Sequence, residues 1–422
     1  MLTKGGISLD VDGKTVSAKS SEVAKKKNIF NYLGPALITS ALVLGPGSVT
    51  LSSKIGAIYG TQLVWAIILA IILMMVYTEM STRIGLAAEH SFIQTIKKKW
   101  GLPAGILIGI GAFLVTASFQ AGNAIGTGIA VSAVTNMNPT IWIITFTLIS
   151  IALLFAKQFY QILEKLMLVL VVIMLLAFLI TVIVVQPSII DIFKGFIPVL
   201  PEGSMGLVIA LFATSFSIVG ALYQSYLVKE KGWKITDAAS GRKESFLGIF
   251  LLGFISFLIM ITAATILKPQ GLVVNDASEM GLALEPLFGS WSTFVFMLGL
   301  FGASFSSLMG NATIGGSLLA DGLGLGSSLS NMKVKLLIIL VMLFGSIIGI
   351  VFGSAPLNLI VFAQAVTIFV VPFIAIAILV VANDKSIMGE LKNRLLSNVL
   401  GIIGLLVLLY LAFNNIKNIF FS

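Results

Sequence analysis

Eleven apolar stretches of roughly 20 residues or more recur along the chain, each long enough to cross a bilayer, and no other feature limits the possible architectures so sharply. They fall near residues 32–53, 62–82, 102–133, 139–156, 162–185, 204–228, 244–267, 291–319, 334–353, 357–382 and 396–416. A hydrophobic fraction of 58% against 10% charged residues excludes an ordinary soluble domain. The predicted fold class is an all-α integral membrane protein with 11 transmembrane helices. Residues 1–31 are polar and lysine-rich with no apolar core before Ile29. They read as a disordered basic cytoplasmic tail, not a cleavable signal peptide. The chain has no cysteine, which excludes disulfides and thiolate metal sites.

The net charge of +9 is explained by where the charge lies. Of 26 Lys and Arg residues, 22 fall in alternate loops, including Lys97–Lys99 and Lys229–Lys243. The opposite loops hold only Lys54, Lys194, Lys268 and Lys417. The positive-inside rule then predicts a plasma-membrane protein with a cytoplasmic N-terminus and an extracytoplasmic C-terminus. Lys25-Lys26-Lys27 beside the first stretch suits anionic lipid, and no nucleic-acid partner is needed to explain the charge. The expected partners are the bilayer and a small substrate, with the chain acting as a monomer.

A break interrupts the first stretch at Leu44-Gly45-Pro46-Gly47-Ser48. Pro46 removes a backbone donor and Gly47 loosens the helix, so two half-helices are expected there. In hydrocarbon a helix can unwind only where protein or a water-filled cavity satisfies the freed groups, which makes such a break a mark of a transporter site. The sixth stretch carries a run of small and hydroxyl residues, Ala213-Thr214-Ser215-Phe216-Ser217-Ile218-Val219-Gly220, and is expected to break as well. The two stretches enter from opposite sides, five spans apart, as in an inverted repeat of two five-helix halves. The halves are assigned to 32–185 and 204–382, with an additional C-terminal helix in 396–422.

Gly34-Pro35-Ala36 through Gly45-Pro46-Gly47-Ser48 resembles the opening helix of the Nramp family of divalent metal transporters. The likeness continues at Thr82-Arg83-Ile84-Gly85, at Ala124-Ile125-Gly126-Thr127, and at Ser306-Ser307 with Asp321-Gly322. It also extends to Gln364, eight residues before the proline of Val371-Pro372-Phe373. The resemblance implies a LeuT-type 5+5 inverted repeat with helices 1 and 6 broken. Where the family carries Asp-Pro-Gly-Asn, this chain has Gly45 and Ser48 in place of the aspartate and asparagine. The family's Met-Pro-His motif falls near Phe216–Val219, and its acidic pair in the third span falls on Gln120 and Asn123. These substitutions, with Gly220 through Trp233, resemble the magnesium-transporting branch of Nramp-related proteins.

Loss of a soft thioether removes a preference for manganese and iron over hard cations. Magnesium dehydrates reluctantly and keeps several waters, so hydroxyls, amides and carbonyls suit its hydrated form. The expected binding groups are Leu44, Gly45, Ser48, Ala213, Thr214, Ser215, Ser217, Gln224 and Gln364. Ser48, Thr214 and Gln364 are expected to reach the ion mostly through water, at breaks placed on Pro46, Gly47 and Gly220. Gln120 and Asn123, three apart, share a helical face and keep a polar pathway without its charge. The single histidine, His90, is expected in a solvated loop, so passive transport without proton coupling is predicted. Glu79 is expected to pair with Arg83, Asp321 to make a helix-end contact, and Asn311 to join helices. The ion is substrate, and no cofactor is expected. The alternative readings are a carrier of a small organic solute or amino acid and, less favoured, a transport-dead sensor or scaffold. No nucleophile–base pair or phosphate loop suggests an enzyme.

Overall fold

The computed structural model describes residues 44–275, 277–351 and 367–420, and among them every regular element is helical. The principal helices are α1 (Pro46–Tyr59), α2 (Val64–Ala87), α3 (Phe92–Trp100), α4 (Leu102–Thr135) and α5 (Pro139–Leu153). They continue with α6 (Lys157–Val185), α7 (Met205–Ser215), α8 (Ile218–Glu230), α9 (Ala238–Ile266) and α10 (Ser292–Gly322). The chain closes with α11 (Met332–Val351), α12 (Val371–Ala382) and α13 (Leu395–Phe420). Eight segments of the described residues are long and apolar enough to cross a membrane, with α7 and α8 together forming one of them. A ninth arises if α12 is joined to the short helical run Lys385–Leu391, across a 63° bend. The predicted count of 11 is therefore not reached among the described residues. The part of the first stretch before Leu44 and residues 352–366, Gln364 among them, lie outside them.

Both faces of a helix can be apolar here because the bundle has a protein side and a lipid side. Phe212, Phe216, Phe296 and Phe305 are fully buried, whereas Leu148, Ile183, Phe373 and Phe413 turn large apolar surfaces outward. The most extensive pairing in the bundle joins α4 to α10. Close approach requires glycine at their crossing: a Cβ on Gly109 would stand 2.9 Å from the Cα of Gly322. A second close approach seats α1 against α4, since a Cβ on Gly126 would meet the Pro46 side chain at 2.6 Å.

Candidate functional site

The central site forms where two helices begin or end inside the bundle. Proline is tolerated at the first position of a helix, where its missing N–H costs nothing. Pro46 accordingly starts α1, with Gly45 extended before it (φ −97°, ψ 175°). Pro46 and Gly47, predicted as break residues, are therefore both helical and buried in α1; Leu44 and Gly45 are non-helical, and the residues before them lie outside the described ones. The second break is displaced. Ala213, Thr214 and Ser215 remain in the last turn of α7, and only Phe216 and Ser217 leave helical form. Ser217 restarts the helix by accepting a hydrogen bond from the Gly220 N–H, so Gly220 is helical and not the break. The last turn of α7 still presents carbonyl groups without intrahelical donors, the partially negative end of a helix dipole.

Side chains tie the two breaks to each other and to α4 and α10. Ser48 and Thr214 share a hydrogen bond of 3.0 Å, both buried, linking α1 to the end of α7. Ser307 Oγ donates to the Leu44 carbonyl at 3.1 Å, leaving that oxygen a second lone pair. Gln120 is fully buried and its Nε2 donates to the Leu308 carbonyl at 2.6 Å. Its Oε1 accepts from Asn123 Nδ2 and Asn311 Nδ2, each at 3.3 Å. Asn311 Nδ2 also donates to the Thr116 carbonyl at 2.6 Å, so it does join helices as expected. Gln120 thus acts as a brace that holds both asparagine amides in place.

Between these groups lies a cavity of about 40 Å³. Gly45, Asn123, Thr214 and Ser217 line it together with Ser307, Asn311 and Thr116, and Phe119 and Ile314 supply apolar wall. None of its lining residues, among the described ones, is ionisable. Among the described residues, no group of three or more His, Asp or Glu side chains is arranged to hold a metal.

The sequence-predicted residues divide accordingly. Gly45, Thr214, Ser217 and Asn123 converge on the cavity, and Leu44 and Ser48 flank it through their bonds to Ser307 and Thr214. Ala213 and Ser215 are buried beside it, and Ser215 Oγ has no hydrogen-bond partner among the described residues. Gln224 does not reach the cavity: its Nε2 donates to Ser245 Oγ at 3.0 Å, two turns of α8 away from the break. Gln364 lies outside the described residues. Missed as lining groups were Thr116, Ser307 and, in that role, Asn311. A helical register would have found them, because Thr116, Gln120 and Asn123 repeat at i, i+4, i+7, as do Ser307, Asn311 and Ile314.

One set of charged contacts lies at the end of the bundle where α2 finishes and α3 begins. Arg83 bonds Glu79 Oε2 through Nε at 3.0 Å and through a terminal nitrogen at 2.7 Å, as its i, i+4 spacing predicts. It also donates to the Leu391 carbonyl and to Asn393 Oδ1, each at 2.7 Å. Asp321 is fully buried and accepts from Ser91 at 2.5 Å, Tyr226 at 2.6 Å and Gln94 at 3.2 Å. His90 sits beside Lys98 and 3.7 Å from Glu89, in the loop expected for it.

Comparison with known proteins gives a consistent relationship. The profile of the family described as Nramp, natural resistance-associated macrophage protein-like, matches residues 36–417. The divalent metal cation transporter MntH of Deinococcus radiodurans is 24% identical over 392 residues, covering 89% of this chain and 87% of that protein. Metal transporter Nramp6 of Arabidopsis thaliana is 26% identical over 411 residues, covering 90% and 76%. Among solved structures, the Eremococcus coleocola manganese transporter matches with a TM-score of 0.77 at 17% identity, over 93% of this chain and 88% of that one. Mhp1, a nucleobase-cation-symport-1 family transporter, matches with a TM-score of 0.57 at 13% identity, over 92% and 93%.

Proposed function

Since the chain belongs to the Nramp family, we propose that it is a membrane carrier of divalent metal cations that favours hydrated magnesium, takes manganese as a second ion, and works passively. The observation that carries this reading is the neutral cavity at the two breaks. A bare transition metal held there would meet no thioether, imidazole or carboxylate among the lining residues. A hydrated ion needs none of these, because its own waters take the inner coordination positions. The oxygens of a six-water magnesium shell lie about 2.1 Å from the ion, on a sphere of about 39 Å³. The cavity volume of about 40 Å³ is comparable. Asn123, Thr214, Ser217 and Ser307 supply acceptors for such waters, and the carbonyl end of α7 supplies a favourable dipole.

Absence of proton coupling follows from the amide brace. Gln120, Asn123 and Asn311 form a continuous polar path that does not titrate, and a proton route through a membrane ordinarily uses Asp, Glu or His along its length. We place the N-terminus in the cytoplasm and arrange the chain as two inverted five-helix halves, on the basic-residue count and the paired breaks.

The test is flux into proteoliposomes that hold a magnesium indicator and a pH dye. Magnesium entry without acidification is expected, with manganese entering as well. Ser48→Leu, which replaces the hydroxyl bonded to Thr214 by bulk, is expected to abolish entry. Flux of neither ion above empty liposomes, or entry that carries protons with it, refutes the proposal.

A further inference from the structure

Two cavities lie end to end along the seam between α2 and α9, and their chemistries differ. The first holds about 430 Å³ at the end of the bundle where α2 finishes and α9 and α13 begin. Arg83, Arg242, Lys392 and Arg394 line it, with Glu79 and Glu390 as the acids. Glu79 is committed to Arg83. Arg83 in turn grips Leu391 and Asn393, which fixes the segment that carries Lys392 and Arg394. Asn393 is anchored again by its N–H to the Ala382 carbonyl at 2.9 Å. The side chains of Arg242, Lys392 and Arg394 make no hydrogen bond or ion pair with the described residues, so three free cations face one free acid, Glu390. Exposed basic residues are commonly just solvated. Here they arrive from sequence-distant segments, on a braced scaffold, around one concavity.

The second cavity, about 350 Å³, is almost wholly apolar. Ile68, Ile72 and Met75 of α2 and Phe250, Phe254 and Phe257 of α9 form its walls. The two cavities share helix faces. On α9, Arg242 leads to Phe246, Phe250, Phe254 and Phe257 at helical spacing, and on α2, Glu79 leads to Met75, Ile72 and Ile68 in the same way. From Arg242 to Phe250 is eight residues, about 12 Å along a helix. Beside Arg394, Leu395 and Leu396 are 81% and 70% exposed, which puts the basic cavity at the edge of the apolar belt.

We propose that this seam is a binding site for one anionic phospholipid, its phosphate in the basic cavity and an acyl chain in the apolar groove. Guanidinium groups match phosphate oxygens in a fork geometry, and two arginines here are unspent. A zwitterionic lipid offers the same phosphate but also a cation that Arg242 and Arg394 repel. The seam lies on the side that carries most of the basic loops, the side a bilayer supplies with anionic headgroups. The site is separate from the central cavity and does not depend on what that cavity carries.

The test uses the purified full-length protein in detergent and native mass spectrometry, with phosphatidylglycerol and phosphatidylcholine as probes. Phosphatidylglycerol is expected to be retained as a single copy at least tenfold more tightly than phosphatidylcholine. Arg242→Gln combined with Arg394→Gln is expected to remove that preference, and Met75→Trp, which fills the groove, to weaken both lipids. Circular dichroism on each variant establishes that it is folded. Equal retention of the two lipids, or an undiminished preference in the double variant, overturns the proposal. A third arm measures thermal stabilisation by inorganic phosphate against chloride at matched ionic strength. Stabilisation by free phosphate equal to that by phosphatidylglycerol, together with wild-type lipid retention in Met75→Trp, assigns the basic cavity to a soluble anion and also overturns the lipid assignment.

Discussion

The central cavity and the charged end of the bundle handle polarity in opposite ways. At the centre, Asn123, Thr214, Ser217, Ser307 and Asn311 are all neutral, and their hydrogen bonds run to hydroxyls, amides and carbonyls. At the end, Glu79, Arg83, Asp321, Lys99 and Asp384 carry formal charge and hold helix termini together. Burying a charge is costly unless it is paired and hydrogen-bonded, and the cost rises as water becomes more remote. The chain therefore keeps structural charge where loops and solvent can help, and leaves the site between its breaks uncharged. On the proposal that the substrate is a hydrated ion, this difference has a use. A neutral site binds weakly enough to release, whereas a charged one would strip and hold the ion.

The largest effect is expected from removing the carboxylate on which the charged end converges. Asp321 accepts from Ser91, Tyr226 and Gln94, while Lys97 Nζ donates to its backbone carbonyl at 2.6 Å. Asp321→Ala leaves buried donors without an acceptor, at about 1–3 kcal/mol each. The expected loss is about 3 kcal/mol, read as a fall in unfolding temperature in detergent. Asp321→Asn keeps one acceptor oxygen and is expected to lose about half as much. An Asp321→Ala protein as stable as wild type breaks the comparison, because the charge would then be incidental to the fold.

The converse experiment gives the centre a charge. Gly45 has negative φ, so a side chain is sterically admissible, though a Cβ there meets Asn123 Oδ1 at 3.2 Å and that amide must shift by a few tenths of an ångström. Gly45→Asp places a carboxylate between the two breaks. A unit charge about 4 Å from a divalent ion gains on the order of 8 kcal/mol at an effective dielectric of 20, most of it offset by desolvation. Manganese binding measured calorimetrically is expected to tighten about tenfold, with magnesium flux slowed by the tighter grip. Unchanged manganese affinity would mean that the cavity is not the ion's seat.

How far these two regions were legible in the sequence follows from what marks each one. The helices are legible because long apolar runs leave few alternatives, and the first break because proline and glycine interrupt one such run. The second break was placed on Gly220 instead of Phe216–Ser217 because a segment apolar on all sides gives no periodic signal to say where it unwinds. Gln224 was assigned to the site by its proximity in sequence, but on α8 it faces Ser245. The Glu79–Arg83 pair was legible as a local i, i+4 contact. Asp321, by contrast, draws partners from residues 91–94 and 226, and no local pattern reveals contacts so distant in sequence. The same limit hid Ser307, which meets Leu44 across more than half the chain.

The smallest effect belongs to a part-exposed charge pair at the same end of the bundle. Lys99 and Asp384 form an ion pair whose side chains are 32% and 16% exposed. The Lys99 hydrogen bond, followed by those from the Ser386 hydroxyl and N–H, holds the Asp384 carboxyl well below its usual range. A carboxyl depressed in the folded state adds stability that is present above its unfolded value of about 3.9 and is lost as pH falls below that point. Wild-type unfolding temperature is therefore expected to be insensitive to this pair from pH 5 to 8 and to fall below pH 4. Lys99→Met removes the main cause of the depression, so the variant is expected to show a shallower fall there. At neutral pH it should lose less than about 1 kcal/mol, the ordinary range for an exposed pair. Equal acid slopes in the two proteins would show that Asp384 is held by Ser386 alone, and that the charge at this end of the bundle can be spared one residue at a time, as Asp321 cannot.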